Sequence, residues 1–148
     1  MKLNIFTALA HHPKLLILDE ATSGLDPVAR DELLDVFYEF VSDGKHSILM
    51  SSHILSDIEK IADMVTFISS GQVLLSESKD DLLAKYVLVR CSEDEVKNFR
   101  TNDILGMRKH AYGVEVCVAK SAAANMNSDP VTLDDVMVFA ARARKEKR

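Results

Sequence analysis

The chain has only two cysteines, Cys91 and Cys117, in 148 residues. Two are too few for a disulfide framework, and the expectation is a reduced, cytosolic chain with free thiols. No stretch approaches the roughly 18–20 consecutive apolar residues of a membrane-spanning helix, so any membrane role has to come through a partner. There is no surplus of positive charge. The formal net charge is −5, and bulk electrostatics give no support to a nucleic-acid or anionic-membrane role. A Gly-x-x-x-x-Gly-Lys-Ser/Thr segment is also missing, so no glycine-rich loop cradles a phosphate. What is present is ordinary globular material: 47% hydrophobic and 28% charged residues, in a length that can bury one core.

The most informative run is Leu15-Leu16-Ile17-Leu18-Asp19-Glu20-Ala21-Thr22-Ser23-Gly24-Leu25-Asp26-Pro27. Four apolar residues bounded by turn signals predict a strand buried on both faces, as in a parallel sheet. Two adjacent carboxylates then stand at its C-terminal end, where open α/β sheets place their ligands. Phosphoryl transfer uses Mg²⁺ held partly by such a carboxylate, and a second group to polarise the attacking water. Asp19 suits the first task and Glu20 the second. A bland alternative, in which both acids only cap the next turn, weakens once the following segment is read.

Asp26-Pro27 predicts a helix start, with Asp as N-cap and Pro at the first position, where its missing N–H costs nothing. Leu33, Leu34, Phe37, Phe40 and Val41 recur at helical spacing to about Asp43-Gly44. Ser47-Ile48-Leu49-Met50-Ser51-Ser52-His53 is a second short apolar run ending in polar residues. The order strand, helix, strand predicts parallel neighbours, with Glu20 and His53 facing one crevice from adjacent strand ends. A lone histidine is usually structural or solvated. One at the same sheet edge as a metal-type carboxylate pair is a candidate γ-phosphate sensor.

These residues resemble the C-terminal half of an ATP-binding-cassette (ABC) transporter ATPase subunit. Leu15 to Asp19 is similar to the Walker B strand, and Glu20 matches the family's catalytic, water-orienting glutamate. Ser23-Gly24-Leu25-Asp26 matches the D-loop that contacts the opposing subunit, and His53 matches the switch histidine. Phe67-Ile68-Ser69-Ser70-Gly71-Gln72-Val73 resembles the family's late β-hairpin. The resemblance covers Met1 to about Tyr86. It implies an α/β fold: the C-terminal half of a P-loop NTPase (ABC ATPase) domain with parallel strands and helices, followed by a small α/β tail. It also implies ATP and Mg²⁺ as cofactors, with Asp19 as metal ligand through water or phosphate and Asp26 and Ser23 on the nucleotide side. A second ATPase subunit and an integral membrane transporter subunit are the implied partners, with no nucleic acid, at the cytoplasmic face of a membrane.

The departures are specific. The phosphate-cradling loop, the Leu-Ser-Gly-Gly signature and the glutamine loop are absent, and Ala21 stands where the family has proline. Residues 1–86 are therefore expected to be half of a nucleotide-binding domain, inactive when isolated, and residues 87–148 a small accessory region. A truncated reading frame, a deliberately cut piece and a proteolytic remnant all fit this expectation. A second reading is a non-catalytic interaction or dimerisation module. A third, a soluble ABC relative in DNA repair or translation, lacks the coiled-coil insertion or second cassette such proteins carry.

The start, Met1 to Ala10, has the look of a signal peptide, but Asn4 and Thr7 interrupt it. Leu3, Phe6 and Leu9 or Ala10 predict one face of an amphipathic helix instead, ended by His11-His12-Pro13, a helix terminus rather than a metal site. Further on, helices are predicted over 55–62, 79–86 and 93–99, and hairpins around Ser70-Gly71 and Gly113. From Val87 a second unit is expected. Residues 119–130 read as a loop. Thr132-Leu133-Asp134-Asp135 reads as a capping box opening a helix to about Arg144, with Val136, Phe139, Ala140 and Ala143 on its apolar face. The basic run Arg142–Arg148 reads as a solvated helix end. Tails of this kind occur in exporter-type subunits, and packing or dimer contact is the expected role.

Overall fold

Asp26 starts a helix for the reason its sequence suggests. In the computed structural model its backbone is extended, and its carboxylate Oδ1 accepts from the amides of Val28 (3.1 Å) and Ala29 (3.0 Å). Pro27 then opens α2 (Pro27–Val41) without an orphaned N–H. The structure describes residues 2–146. They fall into two units, Met1–Ala62 and Asp63–Arg148.

The first unit holds α1 (Lys2–Ala10), β1 (Leu15–Asp19), α2, β2 (Ser47–Ser51) and α3 (Leu55–Ile61). β1 and β2 pair in parallel, in a register that sets Leu15 beside Ser47 and Asp19 beside Ser51. A parallel pair needs a crossover, and α2 supplies it. Ile5 of α1, Leu16, Ala21, and Leu33, Leu34 and Phe37 of α2 make the core, with Leu18, Ile48 and Met50 half-buried against them. The carboxylates are thereby held at the end of a strand whose inner face is anchored.

Two expectations are corrected here. Among the described side chains of α1 the buried one is Ile5, while Phe6 is 49% exposed, so the inward stripe runs through Ile5, Ala8 and Leu9; the Leu3 side chain, expected on the same face as Phe6, lies outside those described. β1 is not buried on both faces. Leu16 is covered, but Leu15 and Ile17 of β1 and Leu49 of β2 are 51%, 68% and 61% exposed. The helices that pack on this two-stranded sheet through its core cover one face, and the alternation of a strand sends every second side chain to the other.

That bare face has a measurable consequence. Fully burying a Leu or Ile is worth roughly 1.5–3 kcal/mol. Three such side chains on one small sheet are expected to make the chain self-associate, and isologous pairing is the commonest route. Light scattering at micromolar concentration should give a mass above 16.5 kDa. A monodisperse monomer would show that this face needs no cover.

The second unit begins with an antiparallel hairpin, β3 (Met64–Ser69) and β4 (Gln72–Ser78). Ser70 and Gly71 both have positive φ (50° and 71°), the pattern of the I′ turn that matches strand twist. A bulge follows between Phe67 and Ile68. α4 (Lys79–Lys85) is capped by Ser78 and buries Leu82 completely. Then come β5 (Tyr86–Cys91), a single turn α5 (Glu93–Val96), β6 (Ile104–His110), β7 (Gly113–Ala119), β8 (Ser128–Pro130) and α6 (Leu133–Glu146). The sheet runs β6-β7-β5-β8, antiparallel throughout.

The helix expected over 93–99 stops at Val96. The amides of Lys97, Asn98 and Phe99 bond three residues back, a tightening that carries Phe99 into a core with Val87, Val89, Val114, Val116, Val118 and Ala123. The expected loop over 119–130 contains a 3-10 turn (Lys120–Ala123) and strand β8, whose proline is tolerated because β8 lies at the sheet edge. The capping box stands: the Asp135 amide donates to Thr132 Oγ1 (3.2 Å), and the Thr132 amide donates to Asp135 Oδ2 (3.0 Å). α6 buries Leu133, Val136, Phe139 and Ala140. Of the basic run at its end, Lys147 and Arg148 lie outside the described residues.

Burial pushes the Cys117 thiol up to about 12, with the charge of Asp135 adding to the effect, and burial also raises Cys91. Both cysteines are free, as expected.

α6 lies so close to β6 that a Cβ on Gly106 would sit 2.4 Å from the Phe139 carbonyl oxygen. Backbone cannot yield as a side-chain tip can. Gly106→Ala is expected to cost about 1–3 kcal/mol by overpacking, read as a lowered urea midpoint. An unchanged midpoint would mean that the helix shifts freely on the sheet.

Candidate functional site

The parallel register places Asp19 and Ser51 side by side at the strand ends, and Ser51 Oγ donates a hydrogen bond to Asp19 Oδ1. One residue further along, the chain leaves β1 in an unusual way. Glu20 has φ +50°, a left-handed conformation that costs a non-glycine residue on the order of 1–3 kcal/mol. Its neighbours hold it there. The Glu20 amide donates to the Ser51 carbonyl (3.1 Å), with Ser51 Oγ also in reach at 3.2 Å, and its own carbonyl accepts from the Ser23 amide (3.1 Å). The twist aims the side chain across to the loop after β2. There His53 Nδ1 lies 2.6 Å from Glu20 Oε2.

Asp19, Glu20 and His53 thus meet at one sheet edge, as their positions in the sequence suggest. The Glu20 and His53 side chains are 39% and 69% exposed, so the pair is open to a ligand. Donation from Nδ1 to the carboxylate fixes the tautomer and leaves Nε2 for another partner. Ser23 is half-buried in the turn that follows Glu20. Asp26 uses Oδ1 to cap α2. Nothing local in the sequence marks Ser51. Its signal is the register itself: it is the residue paired with Asp19 once the two strands are aligned.

The donors are hard oxygens, the type Mg²⁺ takes. Mg²⁺ is ordinarily held by one or two carboxylates and completed by substrate phosphates and water. Asp19 and Ser51 fit that partial role. Among the described residues no group of three or more His, Cys, Asp or Glu is placed to hold a metal unaided. No described helix is long and apolar enough to cross a membrane.

No protein-family model matches the chain. Individual proteins do. It is 46% identical over 79 residues to the lantibiotic transport ATP-binding protein SrtF of Streptococcus pyogenes, a match covering 53% of this chain and 34% of that protein. To the bacitracin transport ATP-binding protein BcrA of Bacillus licheniformis it is 44% identical over 84 residues, 57% of this chain and 27% of BcrA. An uncharacterised ABC transporter ATP-binding protein of Bacillus subtilis, YdbJ, aligns over 142 residues at 29% identity, covering 94% of this chain and 46% of YdbJ. The chain therefore spans less than half the length of each of these curated relatives. By these relationships the chain is a homologue of ABC transporter ATP-binding proteins.

Proposed function

We propose that residues 1–86 supply the hydrolytic edge of an ABC-type ATPase domain: the half that holds Mg²⁺, orients water and senses the γ-phosphate. Residues 87–148 form an accessory region that packs or docks rather than reacts. The observation that carries this reading is the 2.6 Å contact between Glu20 and His53 at the ends of adjacent parallel strands, beside Asp19.

In this reading Asp19 and Ser51 hold the metal's water or phosphate shell. Bound Mg-ATP supplies the phosphoryl group and a cation that offsets its charge. The Glu20 carboxylate accepts a proton from the attacking water and fixes its direction. His53 keeps Glu20 in place through Nδ1 and offers Nε2 to the γ-phosphate. Ser23 and Asp26 lie on the turn that meets a second subunit. The phosphate cradle, which this sequence does not contain, comes from another segment or chain, and the 148 residues alone do not turn over ATP. The assembly works at the cytoplasmic face of a membrane through an integral membrane partner. The alternative, a non-catalytic interaction module, is favoured only by the bare apolar face of β1 and β2.

His53→Ala, made in a subunit completed by a phosphate-binding loop, tests the reading. Removing one preorganised donor to developing charge costs about 10²–10³-fold in turnover. Hydrolysis should fall by that factor with Mg-ATP affinity nearly kept. Parental turnover in the variant would remove His53 from the mechanism.

A further inference from the structure

Asp57 is a buried carboxylate, with its side chain only 4% exposed, on a helix of seven residues. A charge taken out of water needs a counter-charge. The cation beside it is Arg30 of α2, with Nε 3.9 Å from Asp57 Oδ2. Neither atom has a hydrogen-bond partner among the described residues. The same guanidinium reaches the other way, donating through Nη2 to the Leu25 carbonyl at 3.4 Å.

These contacts join into a closed path. From Glu20 the turn runs through Ser23 N to Glu20 O and Leu25 N to Thr22 O (3.3 Å). Arg30 ties Leu25 to Asp57. The Asp57 amide donates to the Ile54 carbonyl (3.1 Å), and the Ile54 amide donates to Ser52 Oγ (3.0 Å). His53 lies between those last two residues and closes the path on Glu20. A second tie runs parallel to the first with its charges reversed. Lys60 of α3 bridges Asp31 (2.7 Å) and Asp35 (2.8 Å) of α2, and those carboxylates hold its ammonium above the usual lysine value. α3 needs such ties, because its N-cap residue Ile54 makes no side-chain cap bond.

We infer that Arg30 and Asp57 are positioning residues that close a ring of contacts behind Glu20 and His53 and hold that pair together. The inference deepens the ATPase assignment and rests on it for its purpose, but its geometry is testable without nucleotide. Asp57 does not touch the reacting groups. It fixes α3, and through α3 the loop that carries His53. Arg30 fixes the turn that carries the other partner.

The test is the imidazole ¹⁵N spectrum of His53 in the 148-residue chain. Glu20→Gln gives the reference position for a histidine that has lost its carboxylate. Asp57→Asn and Arg30→Gln should each move the His53 signals most of the way to that reference. Arg30→Lys, which keeps the charge, should leave them nearer the parental position than Arg30→Gln does. If the Asp57 variant fails to fold, the two Arg30 variants decide: Arg30→Gln is expected to shift the His53 signals and Arg30→Lys to shift them less. His53 signals that stay at the parental position in folded variants would overturn the inference, while leaving the ATPase assignment untouched. A normal ATPase rate in Glu20→Gln would overturn the assignment and leave the ring intact.

Discussion

Glu20→Gln, in a subunit completed by a phosphate-binding loop, is expected to hydrolyse ATP about 10²–10⁴-fold more slowly than its parent, the usual span of general-base assistance. The substitution keeps the size of the side chain and an oxygen near His53. It removes the negative charge proposed to accept a proton from water. Binding should survive, because the triphosphate is held mainly by the cradle and the metal rather than by this carboxylate. Nucleotide-bound dimers should therefore accumulate. A steady-state assay paired with size-exclusion chromatography reads both effects, and an unchanged rate would show that Glu20 is not the base. The backbone matters too. Glu20 sits at φ +50°, held by the hydrogen bonds its amide donates to Ser51, and glutamine places no new demand on that conformation.

The second large effect is an absence. The 148-residue chain by itself is expected to show no saturable heat on titration with Mg-ATP. Backbone amides of a glycine-rich loop and its lysine make most of the contact to a triphosphate. Neither occurs in this sequence. What remains is Asp19, partly engaged by Ser51, and an open Glu20–His53 pair. One carboxylate holds Mg²⁺ weakly without phosphate co-ligands. Tight stoichiometric binding would mean that the chain builds a phosphate site from other residues.

The parts legible in the sequence are those whose causes are local. Asp26-Pro27 carries its own capping chemistry, Ser70-Gly71 its own turn, and Thr132 to Asp135 its own reciprocal bonds. Each is settled within four residues. The placement of Asp19, Glu20 and His53 at the strand ends is also legible, because a short apolar run ending in polar residues marks a strand end wherever it occurs. The misses are non-local. Phe6 and Ile5 are both apolar, and only packing on Leu16 and α2 decides which one turns inward. Leu15 and Ile17 read as fully buried because continuous apolar runs usually are, whereas the one face covered here leaves them exposed. β8 is Ser-Asp-Pro, residues of poor strand propensity, and exists only because β5 offers it an edge. Ser51 gains its role from a register with Asp19 that no window along the chain contains. Arg30 and Asp57 stand 27 positions apart, and nothing in their spacing shows that they meet.

The proposed assignment of residues 1–86 as the hydrolytic half of an ABC-type ATPase domain is tested by a chimera in which they replace the matching stretch of SrtF, which keeps the rest of its own chain. The expected result is a folded protein that binds Mg-ATP and hydrolyses it at a rate within about tenfold of the SrtF parent, a difference of about 1.4 kcal/mol in barrier. A folded chimera that binds Mg-ATP and does not hydrolyse it, where SrtF assayed in parallel does, would show that residues 1–86 lack the hydrolytic machinery.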